Sequence, residues 1–369
     1  MPGMKVAVAM SGGVESAVAA YLMKREGHEV VGFFLHLNAP SEDAAVSERR
    51  CCSADDARDA QRCAEVLGID FYALPYRDRF AAIVEDFVSE YRAGRTPYPC
   101  VHCNQDLKFG SLMTLAEGIG AQAVATGHYA RRQEASGRVR LLRGLDPDKD
   151  QSFVLFGLGQ AQLARARFPV GEFPKERVRE MAREAGLPVR DKPESQDLCF
   201  IPRGTAAEFL KKKAPELARP GQVVDAGGRV LGEHPGVAFF TVGQRKGLPA
   251  ATEPRYVLST DPATNTVVAG SREETLAGSL LAEKAGWIIP APDGPVRARV
   301  QIRYRHVAGA ATVTPLESGR VRVDFDQPQA AVTPGQPAVF YDEATGQEVL
   351  GGGWIAAPSM PPRPATGTL

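Results

Sequence analysis

The chain has 369 residues, 44% of them apolar and 24% charged, a composition that suits a globular protein and excludes a disordered one. Lys plus Arg and Asp plus Glu number 44 each, so the formal net charge is zero; a globally basic nucleic-acid coat is excluded, whereas an enzyme with a local basic face is not. No stretch reaches the ~18 apolar residues of a membrane span, and Ser11-Gly12-Gly13 halts the N-terminal apolar run, so a soluble cytoplasmic protein of two or three domains, with no membrane partner, is expected.

Residues 5–200 alternate between strand and helix patterns. Lys5–Met10 reads as a buried strand, Val14–Arg25 as a helix closed by Gly27, and Glu29–Leu37 as the next strand. Ser53-Ala-Asp-Asp56 has the form of a helix start, with the helix running to Leu67; Phe71–Leu74, Phe80–Tyr91 and Ala121–Ala125 follow as strand, helix and strand. This alternation predicts an α/β fold, a doubly wound parallel sheet with helices on both faces. Past residue 204 the pattern changes to a hairpin turning at Gly227-Gly228 and then to short runs at Tyr256–Ser259, Thr266–Ala269, Val296–Tyr304, Ala311–Pro315, Val321–Phe325 and Ala338–Tyr341. These predict antiparallel β domains or barrels. The expected division is 1–204, a mainly β domain over 205–280, a second over 281–358, and a frayed tail over 359–369.

The cysteines are Cys51, Cys52, Cys63, Cys100, Cys103 and Cys199, too few for a disulfide scaffold at this length. Cys100-Val-His-Cys103 reads as a redox pair, a metal half-site or a catalytic thiol. A zinc site needs further ligands, for which Cys199 and His102 or His128 are available. In Glu194-Ser-Gln-Asp-Leu-Cys199-Phe-Ile-Pro202 the polar flank suits a loop at a site, where a low-pKa thiolate could serve sulfur chemistry. Cys63 reads as a small packing residue, and Cys51-Cys52 read as structural or, alternatively, as part of a substrate channel.

Between the first strand and helix lies Ser11-Gly12-Gly13-Val14-Glu15-Ser16. Its glycines let backbone approach a ligand, and the N–H groups of a helix start favour an anion. No Lys follows the glycines, so a Walker-type loop is disfavoured. Two arginine-rich segments stand out. Arg131, Arg132, Arg138, Arg140, Arg143 and Lys149 crowd one region; Arg297, Arg299, Arg303 and Arg305 recur at spacing two, which on a strand puts four guanidinium groups on one face. Each reads either as an RNA-binding patch or as a solvated charged face.

The loop resembles the S-G-G-x-D-S signature of N-type ATP pyrophosphatases (adenine nucleotide alpha hydrolase-like), with Glu15 in place of Asp. Nine further segments follow in order: Cys51-Cys52-Ser53 with Asp55-Asp56, Gly94-Arg95-Thr96-Pro97, Cys103-Asn104, Lys108-Phe109, Ala125–Ala130, Lys149–Ser152, Glu194–Ile201, Thr241–Leu248 and Ile302–Arg305. Together, over about residues 5–355, they resemble the tRNA-specific 2-thiouridylase family. The resemblance implies an ATP pyrophosphatase domain followed by two smaller β domains, the last a β-barrel that contacts tRNA. It assigns ATP, with Mg2+, to Ala9, Met10, Ser11, Gly12, Gly13, Val14, Glu15, Ser16, Leu35 and Gly127. His128 reads as a structural histidine near that site. Cys103 is implied as nucleophile and Cys199 as persulfide carrier, the pair ending as a disulfide. A second route would place a 4Fe–4S cluster on Cys100, Cys103 and Cys199. Tyr98, Pro99 and Cys100 are implied to meet the target base, and Lys149, Asp150, Gln151, Arg303 and Tyr304 to touch tRNA. The implied partners are the tRNAs for Glu, Gln and Lys and a persulfide donor, a cysteine desulfurase or relay protein. Two other readings compete. A small-molecule ligase or amidotransferase of the same superfamily leaves the thiols and the β domains unexplained; a zinc-bearing RNA-binding protein leaves the glycine loop unexplained.

Overall fold

The computed structural model describes residues 3–37, 54–193, 198–201 and 205–356. Cys51-Cys52, the Glu194–Asp197 stretch and the tail over 359–369 lie outside them. The first domain comprises β1 (Lys5–Ala9), α1 (Val14–Arg25), β2 (Glu29–His36), α2 (Ala54–Leu67), β3 (Asp70–Pro75), α3 (Arg77–Arg92), α4 (Pro99–His102), a π-helix (Cys103–Ser111), α5 (Leu112–Gly118), β4 (Ala123–Thr126), the hairpin β5 (Ala130–Ala135) and β6 (Arg138–Arg143), α6 (Gln160–Arg165), β7 (Ala166–Arg167) and α7 (Lys175–Glu184), with α8 (Ala206–Lys213) leading onward. The main sheet is parallel throughout, in the order β3-β2-β1-β4-β7. Its side chains divide by the two-residue period of a strand. Val6, Val8, Val30 and Phe34 enter a core shared with Ala17, Val18 and Leu22 of α1, Ala60 and Ala64 of α2 and Val178 of α7. Their neighbours Ala7, Val31, Phe33 and Leu35 enter the opposite core, with Phe80, Ile83 and Phe87 of α3. The doubly wound expectation is met, helices covering both faces. Cys63 is fully buried in the α2 side of this packing, and burial pushes its thiol up to about 11.

The second sheet holds β8 (Gly221–Val224), β9 (Val230–His234), β10 (Tyr256–Asp261) and β11 (Thr266–Gly270), in the order β10-β11-β8-β9. The hairpin turns where expected, with Gly228 at φ +85°, a backbone region that glycine adopts without strain. Antiparallel pairing is not universal, however: β11 runs parallel to β8.

The third unit is a closed barrel, β12 (Leu276–Trp287), β13 (Val296–Gln301), β14 (Gly309–Leu316), β15 (Arg320–Ala330), β16 (Pro337–Asp342) and β17 (Val349–Ile355), ordered β12-β15-β14-β13-β16-β17. Val300, Val313, Val323 and Phe340 fill it. The boundary expected near residue 280 falls inside β12. The sequence pattern missed β12 and β17. In β17 the run Gly351-Gly352-Gly353 weakens any strand signal, yet a Cβ on Gly351 would stand 2.3 Å from the Gly286 carbonyl oxygen and one on Gly352 2.6 Å from the Phe156 ring. Those glycines permit close approach of β12 and of the first domain. Among the described residues, no helix is long and apolar enough to cross a membrane.

Candidate active site

In the main sheet the chain moves outward from β1 through β2 to β3, and on the other side from β4 to β7. The order therefore reverses between β1 and β4, the place where an open α/β sheet leaves a crevice beyond the carboxyl ends of its strands. The Met10–Gly13 loop leaves β1 there, and Gly127 leaves β4. The two exits press together: a Cβ on Gly127 would lie 2.6 Å from the Ser16 amide nitrogen and 2.7 Å from the Glu15 carbonyl carbon. Ser16 ties the loop from within. Its hydroxyl donates to the Gly13 carbonyl at 3.0 Å and accepts from the Ser11 amide at 3.1 Å. Gly13 caps α1 without any side-chain hydrogen bond, so the first-turn N–H groups of α1 face the crevice as donors for an anion. Leu35 lies on the neighbouring β2, buried in the core.

Two lysines that no motif singled out complete the loop. Buried Lys175, the first residue of α7, pairs with Glu15. Lys192 donates to the Gly12 carbonyl at 2.9 Å, Asp56 at 2.7 Å and Asp59 at 2.6 Å. The only available signal for Lys192 was its place just ahead of the Glu194–Ile201 segment, and sequence spacing could not connect it to Gly12.

The three thiols Cys100, Cys103 and Cys199 are half-buried and pack on the same core. Helix α3 brings their segments together. It packs against α4 and the π-helix, which carry Cys100 and Cys103, while Phe200, next to Cys199, meets Phe80 and Phe87 of α3 at ring separations of 5.9 and 4.9 Å. Burial raises the Cys103 pKa, opposed by the nearby Lys108 ammonium. The same burial and the same Lys108 keep His128 neutral, well below the usual imidazole range, and its Nδ1 lies 2.7 Å from the Thr126 hydroxyl. Lys108 thus acts on both the thiol and the histidine after Gly127. His102 is stacked on Trp354 of β17, the ring centres 4.9 Å apart and the planes nearly parallel. Among the described residues, no three His, Cys, Asp or Glu side chains are grouped to hold a metal ion. Neither Cys100, Cys103 and Cys199 nor Cys100, Cys103 and a histidine form such a group in this arrangement.

On the outer side, Tyr98 meets Phe153 at 5.7 Å and Tyr304 at 6.5 Å, which joins the Tyr98-Pro99-Cys100 segment to the barrel. Arg305 lies over the Tyr304 ring at 5.5 Å, and Arg303 donates to the Ala330 carbonyl at 3.0 Å. Asp150 is turned inward: it accepts from Arg143 at 2.6 Å and from the Gly144 and Ser152 amides, both at 3.0 Å. Gln151 accepts from the Tyr129 amide at 3.0 Å. These two side chains brace the turn after β4, with Lys149 at its edge.

Both arginine patches are corrected. Strand β13 ends at Gln301, and Arg305 has φ +60°, so four guanidinium groups do not share one strand face. Arg297 is ion-paired with Asp326 at 2.6 Å and Glu343 at 2.9 Å. In the β5–β6 hairpin, Arg138 and Arg140 bind Glu348 at 2.6 and 2.7 Å, and Arg143 sits 3.7 Å from the Tyr341 ring centre. The hairpin is a clamp on the barrel.

Three family models match in chain order: the tRNA methyl transferase HUP domain over residues 4–203, the tRNA methyl transferase PRC-barrel domain over 207–271 and the aminomethyltransferase beta-barrel domain over 277–355. The tRNA-specific 2-thiouridylase MnmA of Solibacter usitatus is 49% identical, the match covering 96% of this chain and 100% of that relative. The one from Geotalea uraniireducens is 46% identical, over 95% and 94% of the two chains. The chain belongs to the tRNA-specific 2-thiouridylase family. A solved 4-thiouridine synthetase–RNA complex with bound ATP is a distant likeness, at 16% identity and a TM-score of 0.37 over 58% of this chain and 51% of that one.

Two segments that carry the 2-thiouridylase resemblance prove to be joints between domains. The Thr96 amide donates to Pro334 of the barrel at 2.8 Å, and the Thr96 hydroxyl meets that of Thr241 in the second domain at 3.1 Å. A Cβ on Gly243 would fall 2.4 Å from Ala331. Gly94–Pro97 and Thr241–Leu248 hold the three domains of this family member in register.

Proposed function

We propose that this protein is an ATP-dependent tRNA uridine 2-sulfurtransferase that makes 2-thiouridine at the wobble position. ATP sits with its phosphates at the α1 N-terminus, within reach of Ala9–Ser16 and Gly127, and with Leu35 on the adenine side. Magnesium arrives with the triphosphate as its counter-ion. The C2 oxygen of the target uridine attacks the α-phosphate and pyrophosphate leaves. That step is chemically necessary, since the unactivated oxygen is a poor leaving group.

The terminal sulfur of a Cys199 persulfide then attacks C2 and AMP departs. Cys103 attacks the Cys199 sulfur, 2-thiouridine is released, and a Cys103–Cys199 disulfide remains for an external thiol to reduce. Burial raises the Cys103 pKa, and the Lys108 ammonium opposes it, favouring the thiolate that this attack needs. The donor is a cysteine desulfurase or a relay protein, and the substrates are the tRNAs for Glu, Gln and Lys in the cytoplasm. The uridine leaves its stack to enter and meets Tyr98, Pro99 and Cys100. Lys149, Arg303 and Tyr304 face the RNA beside them, while Asp150 and Gln151 hold the shape of that edge.

The observation that carries this reading is the joining of an uncapped helix start and Gly127 at one end of the sheet, where the π-helix that begins at Cys103 meets His128 through Phe109, ring centres 6.4 Å apart. The test is incubation with ATP, a persulfide donor and unmodified tRNA. Retardation of the product on a mercury gel, with AMP as the nucleotide product, is expected. Unretarded tRNA, or ADP as product, would refute it.

A further inference from the structure

Three contacts meet on one ammonium group beside the phosphate loop. Lys192 Nζ commits its donors to the Gly12 carbonyl, Asp56 and Asp59 at 2.9, 2.7 and 2.6 Å, and an ammonium has three such donors. Asp56 and Asp59 stand near the start of α2, which lies hard against the loop: a Cβ on Gly12 would be 2.3 Å from the Asp56 carbonyl oxygen. Gly12 itself has φ +76°. The Asp56 side chain is only 14% exposed. Burial works against the Lys192 charge, but the hydrogen bonds to the two carboxylates outweigh it and hold the lysine above its ordinary pKa. Two carboxylates therefore border the place where a polyanion has to dock, and like charges at such range repel.

We infer that Lys192 is a positioning residue for nucleotide binding: it neutralises Asp56 and Asp59 and holds the Gly12 carbonyl, so that the loop presents its N–H groups to a triphosphate without a negative rim. The inference rests on the ATP reading above. It assigns Lys192 a part distinct from a phosphate ligand, because its donors are already spent on the protein.

The test is MgATP titration of the full chain by calorimetry, which needs neither tRNA nor sulfur. Lys192→Met should weaken ATP binding about tenfold, the scale of a lost charge-assisted hydrogen bond. Lys192→Arg should keep affinity within about threefold, and the triple variant Lys192→Met, Asp56→Asn, Asp59→Asn should recover to a similar level, because neighbouring charges couple. A purely structural lysine would show no such recovery. Wild-type affinity in Lys192→Met, or a folded triple variant no better than the single one, overturns the inference. If Lys192→Met does not fold, the triple variant, which carries no uncompensated carboxylate, is read alone: near-normal ATP affinity supports the inference and lost binding in a folded protein defeats it. A wild-type chain that binds no ATP would instead remove the nucleotide reading itself.

Discussion

Replacing Gly127 by Ala adds one methyl group at the seam between β4 and the phosphate loop. The new Cβ would stand 2.6, 2.7 and 2.8 Å from the Ser16 nitrogen, the Glu15 carbonyl carbon and the Glu15 Cβ. Two of those atoms are backbone in the first turn of α1, so no rotamer change can relieve them. Reaching an ordinary contact of ~3.5 Å requires the helix start to retreat by roughly 0.8 Å. Overpacking of this kind costs about 1–3 kcal/mol, which at about 2–4 °C per kcal/mol for a domain of this size lowers the melting temperature by several degrees. Function should suffer more than stability. The displaced N–H groups are those aimed at the triphosphate, and a shift near 1 Å in a positioned group can cost about 100-fold in rate. Calorimetric melting and MgATP titration measure both effects. Gly118→Ala is the control: it lies at the end of α5 with nothing within 4 Å of its added Cβ, and helix propensity favours it by up to about 1 kcal/mol. A Gly127→Ala chain that melts and binds ATP like wild type would refute the claim that the loop and β4 are in rigid contact.

Cys103→Ser and Cys199→Ser should each abolish tRNA thiolation on the mercury gel while leaving ATP affinity unchanged; retention of wild-type thiolation by both would sink the thiol mechanism. Arg143→Met should destabilise the chain by about 3–5 kcal/mol in urea unfolding, because it strands buried Asp150 without its counter-ion. Arg305→Ala should lower tRNA affinity and reduce the salt slope of binding by about one, whereas Arg297→Ala, already cancelled by Asp326 and Glu343, should leave both nearly unchanged. Filter binding across a salt series distinguishes them. Burial, helped by Arg303, depresses His306 to about 4, against ~6.5 in an unfolded chain. Below the unfolded value the unfolded state takes up a proton that the native state refuses, so stability should fall as pH drops from about 6.5 toward 4. His128, depressed by burial and Lys108, adds in the same direction. Urea midpoints of His306→Gln should fall less steeply over that window.

Local pattern made much of this molecule legible. Alternating apolar runs specify β1, α1 and β2 because a two-sided parallel sheet needs its strands buried on both faces, and the observed bounds of α1 coincide with the predicted Val14–Arg25. The glycines of the loop announced close backbone approach to a ligand, and ordered motifs across the chain announced the family. Charges were read less well. Arg138, Arg140 and Arg297 read as a basic face, but their counter-ions Glu348, Asp326 and Glu343 come from distant parts of the chain. Asp150 reads as an RNA contact, yet its carboxylate is buried against Arg143 and Ser152. Lys175 and Lys192 read as nothing, although each ends on the phosphate loop. Strand β17 was hidden by glycines that only its neighbours require. Periodicity and turn chemistry act between residues a few positions apart, so the chain alone could determine which elements form and where the backbone must pass closely. The neutralisation of a charge depends on which side chain lies within about 4 Å of it, and that was decided only by the tertiary fold within and between the domains.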